Sequence, residues 1–91
     1  MEKKLYEYWK NGGSLMKKEK DAKYWIQVRG DEIISDTTLY VANDDYAVVR
    51  MAQADGKTLE MKHNDVGSWH DCEEKQSFSN ECEYRIKKLS N

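Results

Sequence analysis

Apolar and polar positions follow two different periods along this chain, and the periods alternate twice. In residues 2–11, EKKLYEYWKN, Leu5, Tyr8 and Trp9 fall at i, i+3 and i+4, one stripe of an amphipathic helix that Gly12 and Gly13 stop. Between residues 45 and 55, Tyr46, Val49 and Ala52 or Gln53 repeat that spacing, with Asn43 or Asp44 as N-cap and Gly56 as the stop. After each glycine the period shortens to two. Residues 14–17 and 57–62 therefore predict strands with one buried face. Polar turns at 19–22 and 64–67 lead into second strands at 24–28 and 68–72, which predicts a β-hairpin in each half. Third strands follow at 37–42 and 83–88.

The two halves superimpose with one offset of 44 residues and no gap. Leu15 falls on Leu59, Trp25 on Trp69, Tyr40 on Tyr84, Gly12 on Gly56, Lys18 on Lys62 and Ser35 on Ser79. Ser14 with Thr58, Ile34 with Phe78 and Asp36 with Asn80 are chemically close matches. This is a tandem repeat, residues 1–44 and 45–91. The expected fold is α+β: two α-β-β-β repeats sharing one antiparallel sheet, with helices on one face. A 44-residue unit without a disulfide or a metal buries too little apolar surface to stand alone, so residues 1–91 are expected to form a single domain. Leu15, Trp25, Tyr40, Leu59, Trp69 and Tyr84 should occupy pseudo-symmetric places in its core.

Composition narrows the function classes. Fifteen Lys and Arg against 17 Asp and Glu leave a net charge of -2, which gives no global attraction to nucleic acid or membrane. The absence of proline, with three Trp and six Tyr, favours ordered structure although 35% of residues are charged. No apolar run is long enough to span a bilayer, and the first residues lack the apolar centre of a secretory signal. A cytoplasmic protein with reduced thiols at Cys72 and Cys82 is the expectation. The repeat partners of those cysteines are Val28 and Thr38, so a disulfide is not part of the shared plan.

Local charge is uneven. Lys3, Lys4, Lys10, Lys17, Lys18, Lys20 and Lys23 crowd the first quarter, interleaved with Tyr6, Tyr8, Trp9 and Tyr24. Lysines of such a run can grip phosphates while exposed rings stack on bases. The candidate binding surface is accordingly Lys3, Lys4, Tyr6, Lys10, Lys17, Lys18, Lys20, Lys23 and Tyr24; its competitor is a solvated basic face over buried Tyr8 and Trp9. Acidic residues from Asp31 to Asp45, with Asp71, Glu73 and Glu74, suggest a weaker phosphate-mimicking face.

Catalytic, metal and cofactor sites are not expected. His63, His70, Cys72 and Cys82 are the soft ligands, yet their spacing matches no zinc finger or ribbon. No glycine-framed turn presents either thiol as a nucleophile. The Gly56-Lys57-Thr58 string lacks the earlier glycine of a phosphate loop, Met51 standing in that place, and is better explained as a helix stop.

The second half carries GKTLEMK, then Trp69-His70-Asp71, then Tyr84-Arg85-Ile86-Lys87. Over residues 45–88 this resembles a group of small tailed-bacteriophage and prophage proteins with a GK strand, a tryptophan and a closing YRIKP strand, Lys88 replacing the proline. The resemblance implies a phage-encoded accessory protein of the host bacterial cytoplasm that binds and inhibits or redirects a host protein, as anti-defence proteins do, without catalysis or cofactor. A nucleotide- or nucleic-acid-sequestering module is the alternative. No membrane partner is expected, while open sheet edges invite homo-oligomers.

Overall fold

Each helix ends where its glycine leaves the right-handed region. Gly12 has φ 96° and Gly56 φ 81°, values an L side chain resists. In both places the glycine N–H reaches back to a carbonyl three residues earlier, Gly12 to Trp9 at 3.1 Å and Gly56 to Gln53 at 3.0 Å. The next N–H reaches five back, Gly13 to Tyr8 at 2.8 Å and Lys57 to Ala52 at 3.0 Å. These paired bonds satisfy the last helical carbonyls and aim the chain into a strand. The GKT string is thus the stop of the second helix.

The computed structural model describes residues 1–65, 67–73 and 77–87. The elements are α1 (Lys3–Lys10), β1 (Leu15–Lys18), β2 (Ile26–Gln27), β3 (Leu39–Ala42), α2 (Ala47–Ala54), β4 (Leu59–His63), β5 (His70–Asp71) and β6 (Cys82–Ile86). This is the α+β, twice-repeated α-β-β-β order expected from the two periods. The predicted strand end at Lys88, Val66 in the predicted turn and Glu74 in the acidic set lie outside the described residues. Neither Asn43 nor Asp44 is the N-cap of α2, a position Tyr46 holds without a side-chain bond. Asp44 acts one step earlier: its carboxylate accepts the Tyr46 N–H at 3.0 Å and its carbonyl the Ala47 N–H at 3.0 Å.

The repeat extends to individual bonds. Val28 N–H donates to the Leu15 carbonyl at 2.9 Å, and Cys72 N–H to the Leu59 carbonyl at 2.8 Å. Tyr40 Oη accepts the Ser35 N–H at 2.9 Å, and Tyr84 Oη the Ser79 N–H at 2.7 Å. Ser35 Oγ and Ser79 Oγ each accept an N–H two residues on, both at 3.2 Å. Repeat-matched residues therefore build the same corner before β3 and before β6.

One expectation is corrected. The repeats do not share a sheet: β2-β1-β3 and β5-β4-β6 are separate three-stranded antiparallel sheets. The helices do not lie on one face either. On β1, Leu15 and Lys17 point to one side and Met16 and Lys18 to the other, because successive side chains alternate. Helix α1 packs by β3, and its Tyr6 and Trp9 share a depression with Glu32, the partner of Lys17, which places it on the Leu15 side. Helix α2 covers the opposite side, its closing Asp55 taking Lys18 Nζ at 2.9 Å and Trp25 Nε1 at 3.1 Å. The same α2 sends Tyr46 to the Tyr84 ring of the second sheet, centroids 5.9 Å apart. The order is α1, first sheet, α2, second sheet, which agrees with dimensions of 43 × 32 × 17 Å. A radius of gyration of 14.4 Å exceeds the roughly 12 Å of a compact chain of this length.

This stacking accounts for where the repeats differ. The face of the first sheet beneath α2 carries Met16, Leu39 and Val41, and the equivalent face of the second sheet carries Glu60, Glu83 and Arg85. On the helices, Ala47, Val48 and Met51 correspond to Lys3, Lys4 and Glu7. Met16, Val41, Ala47 and Met51 are buried or half-buried where one repeat meets the next, whereas Leu39 and Val48 stay largely exposed, and charged residues stand where the stack ends, as terminal units of repeat proteins require for solubility. Among the described residues the buried apolar ones are few: Leu15, Val28, Ala47, Ala52 and Leu59. Leu15 and Leu59 are the core positions the repeat predicts; Trp25, Tyr40, Trp69 and Tyr84 keep their pseudo-symmetric places but are only half-buried.

Candidate functional site

The basic run does not form one surface. Lys17 and Lys18 project to opposite sides of β1, and both are neutralised. Lys17 Nζ pairs with Glu32 and lies 3.6 Å from Glu19, while Lys18 pairs with Asp55. Hydrogen bonding to Glu32 raises the Lys17 pKa and lowers that of Glu32, each against the opposing effect of burial. Lys3, Lys4 and Lys10 are exposed on α1, with Lys10 Nζ 5.5 Å above the Tyr6 ring. Lys20, Lys23 and Tyr24 are exposed between β1 and β2. Tyr6 is more than a third exposed, and Trp9 is half-buried.

A different surface, mixed apolar and polar, forms instead between α1 and the segment joining β2 to β3. Met1, Tyr6, Trp9, Ile33 and Ile34 line an open depression of about 480 Å³ rimmed by Lys10, Glu32 and Asp36. Tyr6 and Trp9 meet at 6.2 Å with a 46° tilt. Ile33 is 91% exposed, so an Ile side chain stands in water beside two aromatic rings. The sequence held a signal for it: Ile33 and Ile34 stand side by side in an otherwise polar loop, where Ile34 is half-buried and Ile33 is left in water. Neither isoleucine belongs to the lysine run expected to form the binding surface.

The second repeat is closed by charge and aromatic contacts. Arg50 is held by both oxygens of Asp44, each at 3.0 Å, and lies 5.8 Å from the Tyr46 centroid and 5.2 Å from that of Phe78. Phe78 meets Tyr84 edge-on at 4.8 Å. On the outer face, Trp69 lies under Arg85 at 4.0 Å and Lys62 at 5.3 Å. Arg85 pairs with Glu60 at 3.0 Å, Lys62 with Glu83 at 3.4 Å and Lys87 with Asp71 at 3.1 Å.

His63, His70, Cys72 and Cys82 do not converge: among the described residues no three of His, Cys, Asp and Glu are placed to hold a metal ion. Burial pushes the Cys72 thiol up, and Asp71 adds to the effect. Its thiolate, the nucleophilic form, is therefore disfavoured. Among the described residues no helix is long and apolar enough to cross a membrane. Comparison with protein-family models, with curated proteins and with solved structures finds no match.

The junction between repeats predicts an acid response. The bond from Lys18 holds the Asp55 carboxyl below its ordinary value, against partial burial, and Trp25 adds to it. Burial opposes ionisation of Asp44, yet the Arg50 bonds and the Tyr46 N–H leave its pKa lowered. A carboxylate whose folded pKa is depressed contributes stability above its unfolded value, near 4, and loses it as pH falls through the folded value. Urea unfolding across an acid series should therefore show stability falling below about pH 4, less steeply in Asp55→Asn than in the parent. Parallel acid limbs would show that Asp55 is not ion-paired in solution.

Proposed function

We propose that this is a non-enzymatic accessory protein of bacteriophage origin that acts in the host bacterial cytoplasm by binding a host protein and inhibiting or redirecting it, in the manner of an anti-defence protein. The resemblance of residues 45–88 to small phage proteins supplies the provenance. The observation that carries the binding mode is the depression around Tyr6, Trp9 and Ile33: aromatic anchors and an exposed aliphatic side chain inside a charged rim, the composition of a protein-binding surface. The pairing of Lys17 with Glu32 and of Lys18 with Asp55 favours this over the nucleotide or nucleic-acid alternative, because two of the central lysines have their charge already matched.

The test is affinity capture from host lysate with the parent chain and with Ile33→Asp, a substitution at a position too exposed to disturb folding. The parent should retain one stoichiometric host protein. Ile33→Asp should lower its capture by about tenfold or more, as loss of an interface anchor does. Capture of nucleotide or nucleic acid alone would replace this reading with the sequestering one.

A further inference from the structure

Strand β6 ends the second sheet with an unpaired side. The β4–β6 register pairs Glu83 with Lys62 and Arg85 with Glu60. The bonds that continue it are Lys87 N–H to the Thr58 carbonyl at 2.9 Å and Asn64 N–H to the Glu81 carbonyl at 2.9 Å. In an antiparallel ladder, residues with both main-chain groups turned inward alternate with residues that turn them outward. Glu83 and Arg85 therefore bond inward to β4, and Cys82, Tyr84 and Ile86 point their main-chain groups outward. Cys82 N–H is taken by the Ser79 carbonyl at 3.3 Å, which leaves its carbonyl for the outer side. Among the described residues no strand pairs with this edge. It is the longest edge of its sheet, since β5 has two residues. In the first sheet the edge strands are shorter, β3 with four residues and β2 with two, against five in β6.

We propose that the outer edge of β6 pairs with the same edge of a second copy of this chain, antiparallel and centred on Tyr84, forming a homodimer with one continuous sheet. The register follows from the charges. With Tyr84 opposite Tyr84 of the second copy, Glu83 faces Arg85, Arg85 faces Glu83, and Cys82 faces Ile86. Every residue of β6 is then opposite one of the second copy: the N–H and carbonyl of Tyr84 exchange bonds with those of its counterpart, and the Ile86 N–H meets the Cys82 carbonyl left free on the outer side. Centring on residue 83 or on residue 85 would bring two glutamates or two arginines face to face, which destabilises a cross-strand pair. The side chains of Glu83 and Arg85 are 60% and 51% exposed beyond their contacts with Lys62 and Glu60, so both can reach across. Beside this edge, Val48, Val49 and Tyr84 border an open depression of about 390 Å³, and Val48 is 67% exposed on the helix. A second copy would cover that apolar surface.

This pairing rests on β6 alone and is independent of the host-protein reading. Its test is a charge-reversal mixing experiment read by sedimentation or light scattering. The parent chain should have twice the chain mass. Glu83→Arg and Arg85→Glu, each confirmed folded by circular dichroism, should each dimerise about tenfold more weakly or worse, because twofold symmetry repeats the like-charge pair. Mixed together they should recover the dimer, since every 83–85 pair across that interface is then of opposite sign. A monomeric parent, single variants that dimerise as the parent does, or a mixture that stays monomeric would each overturn the proposal.

Discussion

Leu15→Ala should lower stability by about 2–5 kcal/mol, the cost of emptying a fully buried leucine site whose surroundings relax only in part. Leu15 is fully buried, and few other apolar side chains share that environment. With folding free energies of about 5–15 kcal/mol for whole domains, that is a large share of what holds this chain together. The melting temperature should fall by about 10 °C or more, at roughly 4–8 °C per kcal/mol for a chain of this size. Leu59→Ala at the matched position should behave alike, because Leu59 is 2% exposed and accepts the same bond, from Cys72 as Leu15 does from Val28. Scanning calorimetry of both variants checks this. A change under about 1 kcal/mol in either, the scale of an ordinary substitution, would mean that its repeat lacks the packed centre described here.

Val41→Arg should cost about 3 kcal/mol, whereas Arg85→Val, the reverse exchange at the matched position, should change stability by less than about 1 kcal/mol. Val41 lies on the side of β3 that α2 covers, so an arginine there must lose water or displace the helix. Arg85 lies on the uncovered end of the stack, where its pair with Glu60 is half-exposed and worth little. Chemical denaturation of the two variants measures the difference directly. Equal costs would mean that α2 does not cover the first sheet.

Much of the architecture was legible because it depends on local chemistry. Two glycines with positive φ, the helical spacing before them and the period-two runs after them set the helix and strand order within a few residues. The 44-residue offset alone pairs Tyr40 with Tyr84, whose hydroxyls accept matching bonds from Ser35 and Ser79. The single sheet was not legible as two, since strand patterns fix which face is buried and not which strands pair at the edge. A signal for the split was nevertheless present: Met16, Leu39 and Val41 are apolar where Glu60, Glu83 and Arg85 are charged. Equivalent strands with opposite polarity on one face cannot both face water. Of the expected surface, Lys17 and Lys18 went into ion pairs because adjacent strand residues face opposite ways. Ile33 carries more of the candidate site than the lysines do, and its exposure depends on a loop conformation that no periodicity encodes.

Helix α2, packed on both sheets, makes two small repeats one cooperative unit. Native-state hydrogen exchange at two matched amides tests it: Val28, bonded to Leu15 in the first sheet, and Cys72, bonded to Leu59 in the second. Both should open with the free energy of global unfolding, and Leu59→Ala should lower the protection of Val28 as much as that of Cys72. Protection of Val28 left unchanged by Leu59→Ala would contradict the account and make the repeats independent folding units.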